Sequence, residues 1–237
     1  MKDQGQGVAP KILEQDGESV RDFISMAVHD LREPLRGIRL GVHLLTGKDR
    51  EPSEENVERG TRYLIDGVDR METLIHDIAE LCYEEVREPN PNGMDLELVL
   101  LEAKNELAVD IKSSGAILTH DALPSVKISA AIGKVFRALI SNACKFRGED
   151  GPRIHVGAVQ RGSDLILSIQ DNGTGFDPAY GKRVFRAFER LNGKQYPGSG
   201  LGLTLAKRIV EQQGGQIWAE SRGGGGCTIH FSLPLAV

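Results

Sequence analysis

From Ser19 to Thr46 apolar residues recur at Val20, Ile24, Ala27, Leu31, Leu35, Ile38, Val42 and Leu45, in steps of three and four. This spacing predicts an amphipathic helix with a seam close to a heptad. Gly47 fits its end, and the charged stretch from Lys48 to Asn56, with Pro52 inside it, reads as a turn. A second seam follows at Val57, Leu64, Val68, Met71, Leu74 or Ile75, Ile78 and Leu81, and runs to about Val86. Two long helices joined by a short turn make a hairpin. One apolar stripe per helix is too little core for a hairpin alone, so dimerisation into a four-helix bundle is expected to bury the stripes.

The segment EPNPNG at 88–93 ends this pattern, because two prolines and a glycine do not continue a helix. Beyond it the periodicity is mixed. Asp95 is placed to cap a helix through about Asp110, and Ser129 one through Phe146. Short strands are expected at Ala116–Thr119 and Val126–Ile128. Residues 153–160 and 164–170 form a hairpin around Arg161-Gly162-Ser163. A glycine-rich and basic stretch at 173–198 reads as a mobile loop, Leu201–Gln213 as a helix, and Gln216–Glu220 and Cys227–Leu233 as closing strands around the Gly223–Gly226 turn. The fold class expected is α+β: a helical hairpin, then an α/β sandwich with one sheet covered by helices. The boundaries are a flexible segment at 1–18, the hairpin at 19–88 and the mixed domain at 89–237.

Composition narrows the function classes. The chain of 237 residues is 40% hydrophobic and 27% charged, with net charge −5, which suits a soluble globular protein. There is no basic excess for nucleic acid, no run of about 20 apolar residues for membrane insertion, and no apolar leader at the N-terminus. A cytoplasmic location is expected. Cys82, Cys144 and Cys227 have neither disulfide nor zinc spacing and read as small, partly buried thiols.

The first helix carries His29-Asp30-Leu31-Arg32-Glu33-Pro34-Leu35-Arg36. His29 lies two residues from both Ala27 and Leu31, which turns it away from the seam and toward solvent. A nucleophilic imidazole needs one free, neutral ring nitrogen, and Asp30 stands next to it to orient the ring or accept its proton. Pro34 removes a backbone hydrogen bond one turn back, near His29.

Four further segments follow in order. In Phe136–Arg147, Asn142 and Lys145 share a helix face, where an amide oxygen suits Mg²⁺ and an ammonium suits phosphate. Asp171-Asn172-Gly173-Thr174-Gly175-Phe176 follows a β-run; its carboxylate suits an adenine amino group, and its glycines allow close backbone approach. Val184–Leu191 holds Phe185, Phe188 and Arg190. Gly198-Ser199-Gly200-Leu201-Gly202-Leu203 opens a helix whose N-terminus favours an anion. Taken singly, each is also what an ordinary wet helix face, tight turn or core aromatic pair supplies. The glycine run lacks the preceding strand of a dinucleotide fold and the lysine of a P-loop.

HDLREPLR resembles the phosphoacceptor box of sensor histidine kinases, in particular their phytochrome-like branch. The four later segments resemble, in order, the asparagine box, first glycine box, phenylalanine box and second glycine box of the Bergerat-type ATP-binding domain. The tail GGQIWAESRGGGGCTIHFSLP is similar to the closing strands of histidine kinase catalytic domains. The same ATP fold occurs in chaperones, mismatch-repair proteins and topoisomerases, from which the upstream histidine hairpin separates this chain.

The resemblance implies roles residue by residue. His29 would accept the γ-phosphoryl group, with Asp30 as base. Asn142 would hold Mg²⁺, Lys145 would contact phosphate and Phe146 would pack near adenine. Asp171 would read the adenine amino group in a pocket shaped by Gly173 and Gly175. Arg190 would reach phosphate, and Gly198, Ser199, Gly200, Leu201 and Gly202 would wrap the phosphates beneath a lid from about 177 to 198. The phosphoryl group would pass to an aspartate on a response regulator, and the chain would act as a homodimer, with an upstream sensor protein as a further partner. Three departures stand out: Ala138 in place of a second asparagine, Ala187 in place of a proline, and Glu33 where phosphatase-competent members carry Thr or Asn. Ala138 keeps open a second reading, a nucleotide-binding pseudokinase or dimeric scaffold without phosphotransfer. An ATP-driven clamp is a third.

Overall fold

The computed structural model describes residues 20–47, 53–83, 93–191, 198–221 and 225–235. The expected lead-in at 1–18, most of the hairpin turn, the linker at 88–92 and the stretch 192–197 lie outside the described residues. Two compact units divide between Tyr83 and Glu84.

The first unit consists of α1 (Val20–Leu45) and α2 (Glu54–Tyr83) packed on each other. The sequence pattern locates both helices, but the line of closest contact between them differs from the apolar seams. Buried positions recur every seven residues: Ala27, Pro34 and Gly41 on α1, and Gly60, Gly67, Leu74 and Leu81 on α2. Glycine lets the backbones approach closely. A Cβ at Gly41 would lie 2.6 Å from the Gly60 carbonyl oxygen, and one at Gly67 would lie 2.6 Å from Ile38 Cγ1 and 3.0 Å from the Pro34 carbonyl oxygen. Where this line is made of small residues, at Ala27, Gly41, Gly60 and Gly67, larger apolar side chains stand on the flanks. Val20, Ile24, Leu35 and Val42 of α1 and Val57, Val68 and Ile75 of α2 are exposed within the single chain. Pro34 sits inside α1 without ending it.

The second unit is a sheet with helices on one face. The strand order is β2 (Ile117–His120), β4 (Arg153–Arg161), β5 (Asp164–Asp171), β7 (Cys227–Pro234), β6 (Ile217–Ser221). Only the β2–β4 pairing is parallel. Alternation along the strands sends Ile154, Val156, Leu165, Leu167, Ile169, Ile229, Phe231 and Leu233 to the buried face. Against it pack α5 (Ile132–Lys145) and α6 (Gly202–Gln212), and α3 (Leu96–Glu106) packs on α5. Phe136 of α5 meets Phe231 edge to face at 6.1 Å between ring centroids, at the centre of this core.

Local signals behave as their chemistry requires. Asp95 Oδ1 accepts the Glu97 N–H at 2.9 Å and caps α3. The helix expected through Asp110 breaks at Leu107, and α4 (Ala108–Ser114) follows, closed by Gly115 at φ +71°. Ser129 lies one turn ahead of α5: its Oγ accepts the Ala131 N–H at 3.3 Å, while the helix starts at Ile132. A small second sheet pairs β1 (Met94–Asp95) with β3 (Ser125–Val126), where only one short strand was expected. The β4–β5 hairpin turns at Gly162, at φ +62°. Two 3₁₀ turns, Pro178–Tyr180 and Arg183–Phe185, order the first part of the glycine-rich stretch.

Candidate phosphoacceptor and nucleotide sites

His29 projects from α1 with its side chain 84% exposed. Its Nδ1 lies 3.0 Å from Asp30 Oδ1. In the neutral tautomer that donates from Nδ1 to the carboxylate, the lone pair lies on the outer nitrogen, Nε2. Glu33, one turn further on, accepts a hydrogen bond from Arg70 Nη2 of α2 at 3.1 Å.

In the second unit the four expected segments converge at one end of the sheet, around the end of the central strand β5. The half-buried Ala138, Asn142 and Lys145 form one stripe along α5. At one end of the stripe is the start of α6, where a Cβ on Gly202 would lie 3.8 Å from Ala138 Cβ. At the other end the Phe146 carbonyl oxygen accepts the Thr174 N–H at 2.9 Å. Gly173 presses on that same carbonyl so closely that no side chain fits there. Gly175, at φ +61°, stands against Gly226 and Ser221: a Cβ there would meet the Gly226 carbonyl oxygen and the Ser221 Oγ at 2.7 Å each. Ser221 Oγ accepts the Phe176 N–H at 2.8 Å and donates to the Gly226 carbonyl at 3.1 Å.

The second glycine box leans on the phenylalanine box. Phe188 adopts φ +61°, and a Cβ on Gly200 would lie 3.0 Å from its backbone. Thr204 of α6 donates to the Phe185 carbonyl at 3.1 Å. Buried Ser199 accepts the Leu201 N–H at 3.1 Å, and no side chain caps α6 at Leu201. First-turn N–H groups of a helix point outward without intrahelical partners, a ready anion cradle. Gly198 has φ +146° but nothing within 4 Å of a Cβ. Arg190 is half-buried just after Phe188.

Asp171 is the last residue of β5, at this end of the sheet. Its Oδ1 accepts the N–H of Gly173 at 2.8 Å and of Cys227 at 3.2 Å, and its Oδ2 accepts the Cys227 thiol at 3.0 Å. Burial, and then the Asp171 charge, push the Cys227 thiol well above its ordinary value, which keeps it a donor at neutral pH. Neither Cys227 nor Ser221 stood out in the sequence. The run of glycines before Cys227 was a signal that backbone approaches closely there, and Gly226 does press on the Asp171 carbonyl.

This architecture matches known proteins. Residues 19–81 match the family described as His Kinase A (phospho-acceptor) domain. Residues 127–237 match the family described as Histidine kinase-, DNA gyrase B-, and HSP90-like ATPase. The chain is a histidine kinase transmitter core. Cyanobacterial phytochrome A of Nostoc sp. is 35% identical over 94% of the chain, and Phytochrome-like protein Cph1 of Synechocystis sp. is 33% identical over 94%. The chain spans only 29% and 30% of those two relatives. Its fold is similar to that of histidine kinase ThkA, solved in complex with response regulator protein TrrA, at TM-score 0.71 and 19% identity over 91% of this chain and 61% of that one. Among the described residues no helix is long and apolar enough to cross a membrane.

Proposed function

We propose that this transmitter core phosphorylates His29 from ATP and passes the phosphoryl group to a response regulator aspartate. The observation that carries this reading is the His29–Asp30 contact, which supports a free and nucleophilic Nε2 on an exposed imidazole. In the transfer, Nε2 forms a bond to the γ-phosphorus while the bond from that phosphorus to the β–γ bridging oxygen breaks, and ADP leaves. Asp30 takes or shares the Nδ1 proton as positive charge develops on the ring. Catalysis of this kind is positioning and charge neutralisation.

The nucleotide site fits ATP through its cradle. Gly173, Gly175 and Gly200 let the loops pack against the backbone of Phe146, Gly226 and Phe188, where a Cβ would clash, and so shape the walls of the site; α6 offers an uncapped N-terminus to phosphates. In this reading Asp171 accepts the adenine amino group, Phe146 packs near the base, and Lys145, Arg190 and the segment 198–202 hold phosphate. Mg²⁺, held through the Asn142 amide oxygen, supplies charge neutralisation on the phosphates when bound. The domain boundaries proposed are 19–88 for the phosphoacceptor hairpin and 89–237 for the ATP-binding domain.

The apolar flanks of α1 and α2 support a homodimer, since a second hairpin would bury them. A soluble, cytoplasmic chain coupled to an upstream sensor fits the same reading. A pulse–chase tests the relay: chain labelled from γ-labelled ATP is mixed with receiver domains, and label should leave the chain for the receiver's aspartate. Bound nucleotide without any label on the chain would favour the scaffold alternative.

A further inference from the structure

Resting on the reading of Asp171 as the acceptor of the adenine amino hydrogen, we propose that Cys227 is a positioning residue for base selection: its thiol holds Asp171 in the orientation that distinguishes adenine from guanine. The carboxylate has an asymmetric set of donors. Both backbone N–H groups, from Gly173 and Cys227, go to Oδ1, and among the described residues the thiol alone reaches Oδ2. A carboxylate oxygen accepts at two lone-pair sites, so the thiol fills one site on Oδ2 and leaves the other for an incoming donor. An adenine presents an amino donor to that position, whereas guanine presents a carbonyl oxygen that a carboxylate repels.

Two features place the thiol there and hold it there. The β5–β7 pairing sets Gln170 opposite Thr228, which brings the next residues outward, Asp171 and Cys227, side by side at the strand ends. Gly226, at φ +82°, has no room for a Cβ against the Asp171 and Asn172 backbone. The strand start is thereby fixed at the distance where Sγ meets Oδ2. Without the thiol, no other described residue tethers Oδ2, and the carboxyl plane is free to turn about the Oδ1 contacts.

The test measures binding of ADP and of GDP by calorimetry to the full 237-residue chain, for wild type, Cys227→Ser, Cys227→Val, Cys227→Ala and Asp171→Asn. Losing one hydrogen bond to a charged group corresponds to about a tenfold change in affinity. Cys227→Val and Cys227→Ala are expected to lose about tenfold in ADP affinity while GDP affinity changes less than about threefold. Cys227→Ser, which keeps a donor, is expected to preserve the ADP-over-GDP preference. Asp171→Asn should abolish the preference altogether. If Asp171→Asn abolishes it but Cys227→Val keeps it, the positioning role is overturned while the reading of Asp171 stands. If Cys227→Ser loses as much as Cys227→Val, the donor role is likewise overturned. If Asp171→Asn keeps the preference, the reading of Asp171 fails and the proposal falls with it. Two apolar replacements of different volume guard against a packing defect, since a general folding loss would weaken ADP and GDP alike.

Discussion

Arg70 of α2 reaches across the hairpin to Glu33 of α1, with Nη2 3.1 Å from Oε2, one turn beyond His29. Both side chains are about a third exposed, at 33% and 30%. A pair this wet pays for side-chain ordering nearly as much as it gains from attraction, so its net contribution is about 0–1 kcal/mol. Arg70→Ala should therefore lower the stability of the chain by less than about 1 kcal/mol in chemical denaturation. A larger loss would mean that the pair is desolvated beyond its exposure.

Gly67 should be far less tolerant. A side chain there would meet Ile38 and the Pro34 carbonyl, so the two helices must separate. Gly67→Val is expected to cost about 1–3 kcal/mol by overpacking, read as a fall in the midpoint of helix loss by circular dichroism. An unchanged midpoint would show that the helices do not meet along the glycine line.

At the nucleotide site the same logic reads out as binding. Gly173 has no space for a methyl group against the Phe146 carbonyl, and the loop that follows Asp171 must move to make it. Gly173→Ala should weaken ATP binding by at least about tenfold, of the order of one lost hydrogen bond to a charged group. Titration with a fluorescent ATP analogue would measure it.

His230 gives the sheet a pH dependence of known sign. Burial lowers its pKa below the ordinary 6.5, with Glu220 raising it and Arg161 lowering it to smaller extents. Its ring stacks on Trp218 at 5.2 Å. The unfolded chain therefore binds the proton more readily than the folded one. The stabilisation is fully present above the unfolded value and is lost as pH falls from about 6.5 through the folded value. Denaturation of His230→Gln at pH of about 7.5 and about 5.5 should show a smaller loss on acidification than the wild type. An equal loss would place the acid sensitivity elsewhere.

The two helices, the strand hairpin and the order of the boxes were legible in the sequence because each rests on local spacing. Asp95 at the start of α3 and the outward turn of His29 followed from helix geometry alone. The line of contact in the hairpin did not, because periodicity marks a face without telling how close the next backbone comes. Gly41, Gly60 and Gly67 carry no apolar signal, yet they set the approach and leave Val20, Ile24 and Leu35 outside it. Cys227 was hidden for a different reason. Its role depends on the register of β5 against β7, a pairing of residues far apart in the chain, and a lone cysteine resembles any small buried residue. The β1–β3 pair is equally non-local, with two residues in each strand.

The central claim is that the exposed imbalance of the His29 ring, with Nδ1 held by Asp30 and Nε2 free, receives the γ-phosphoryl group. Incubation of the chain with γ-labelled ATP and Mg²⁺ tests it most directly, by following covalent label and its stability to acid and alkali. The account predicts acid-labile, alkali-stable label that is absent from His29→Gln, and label retained at full level in that variant would contradict it.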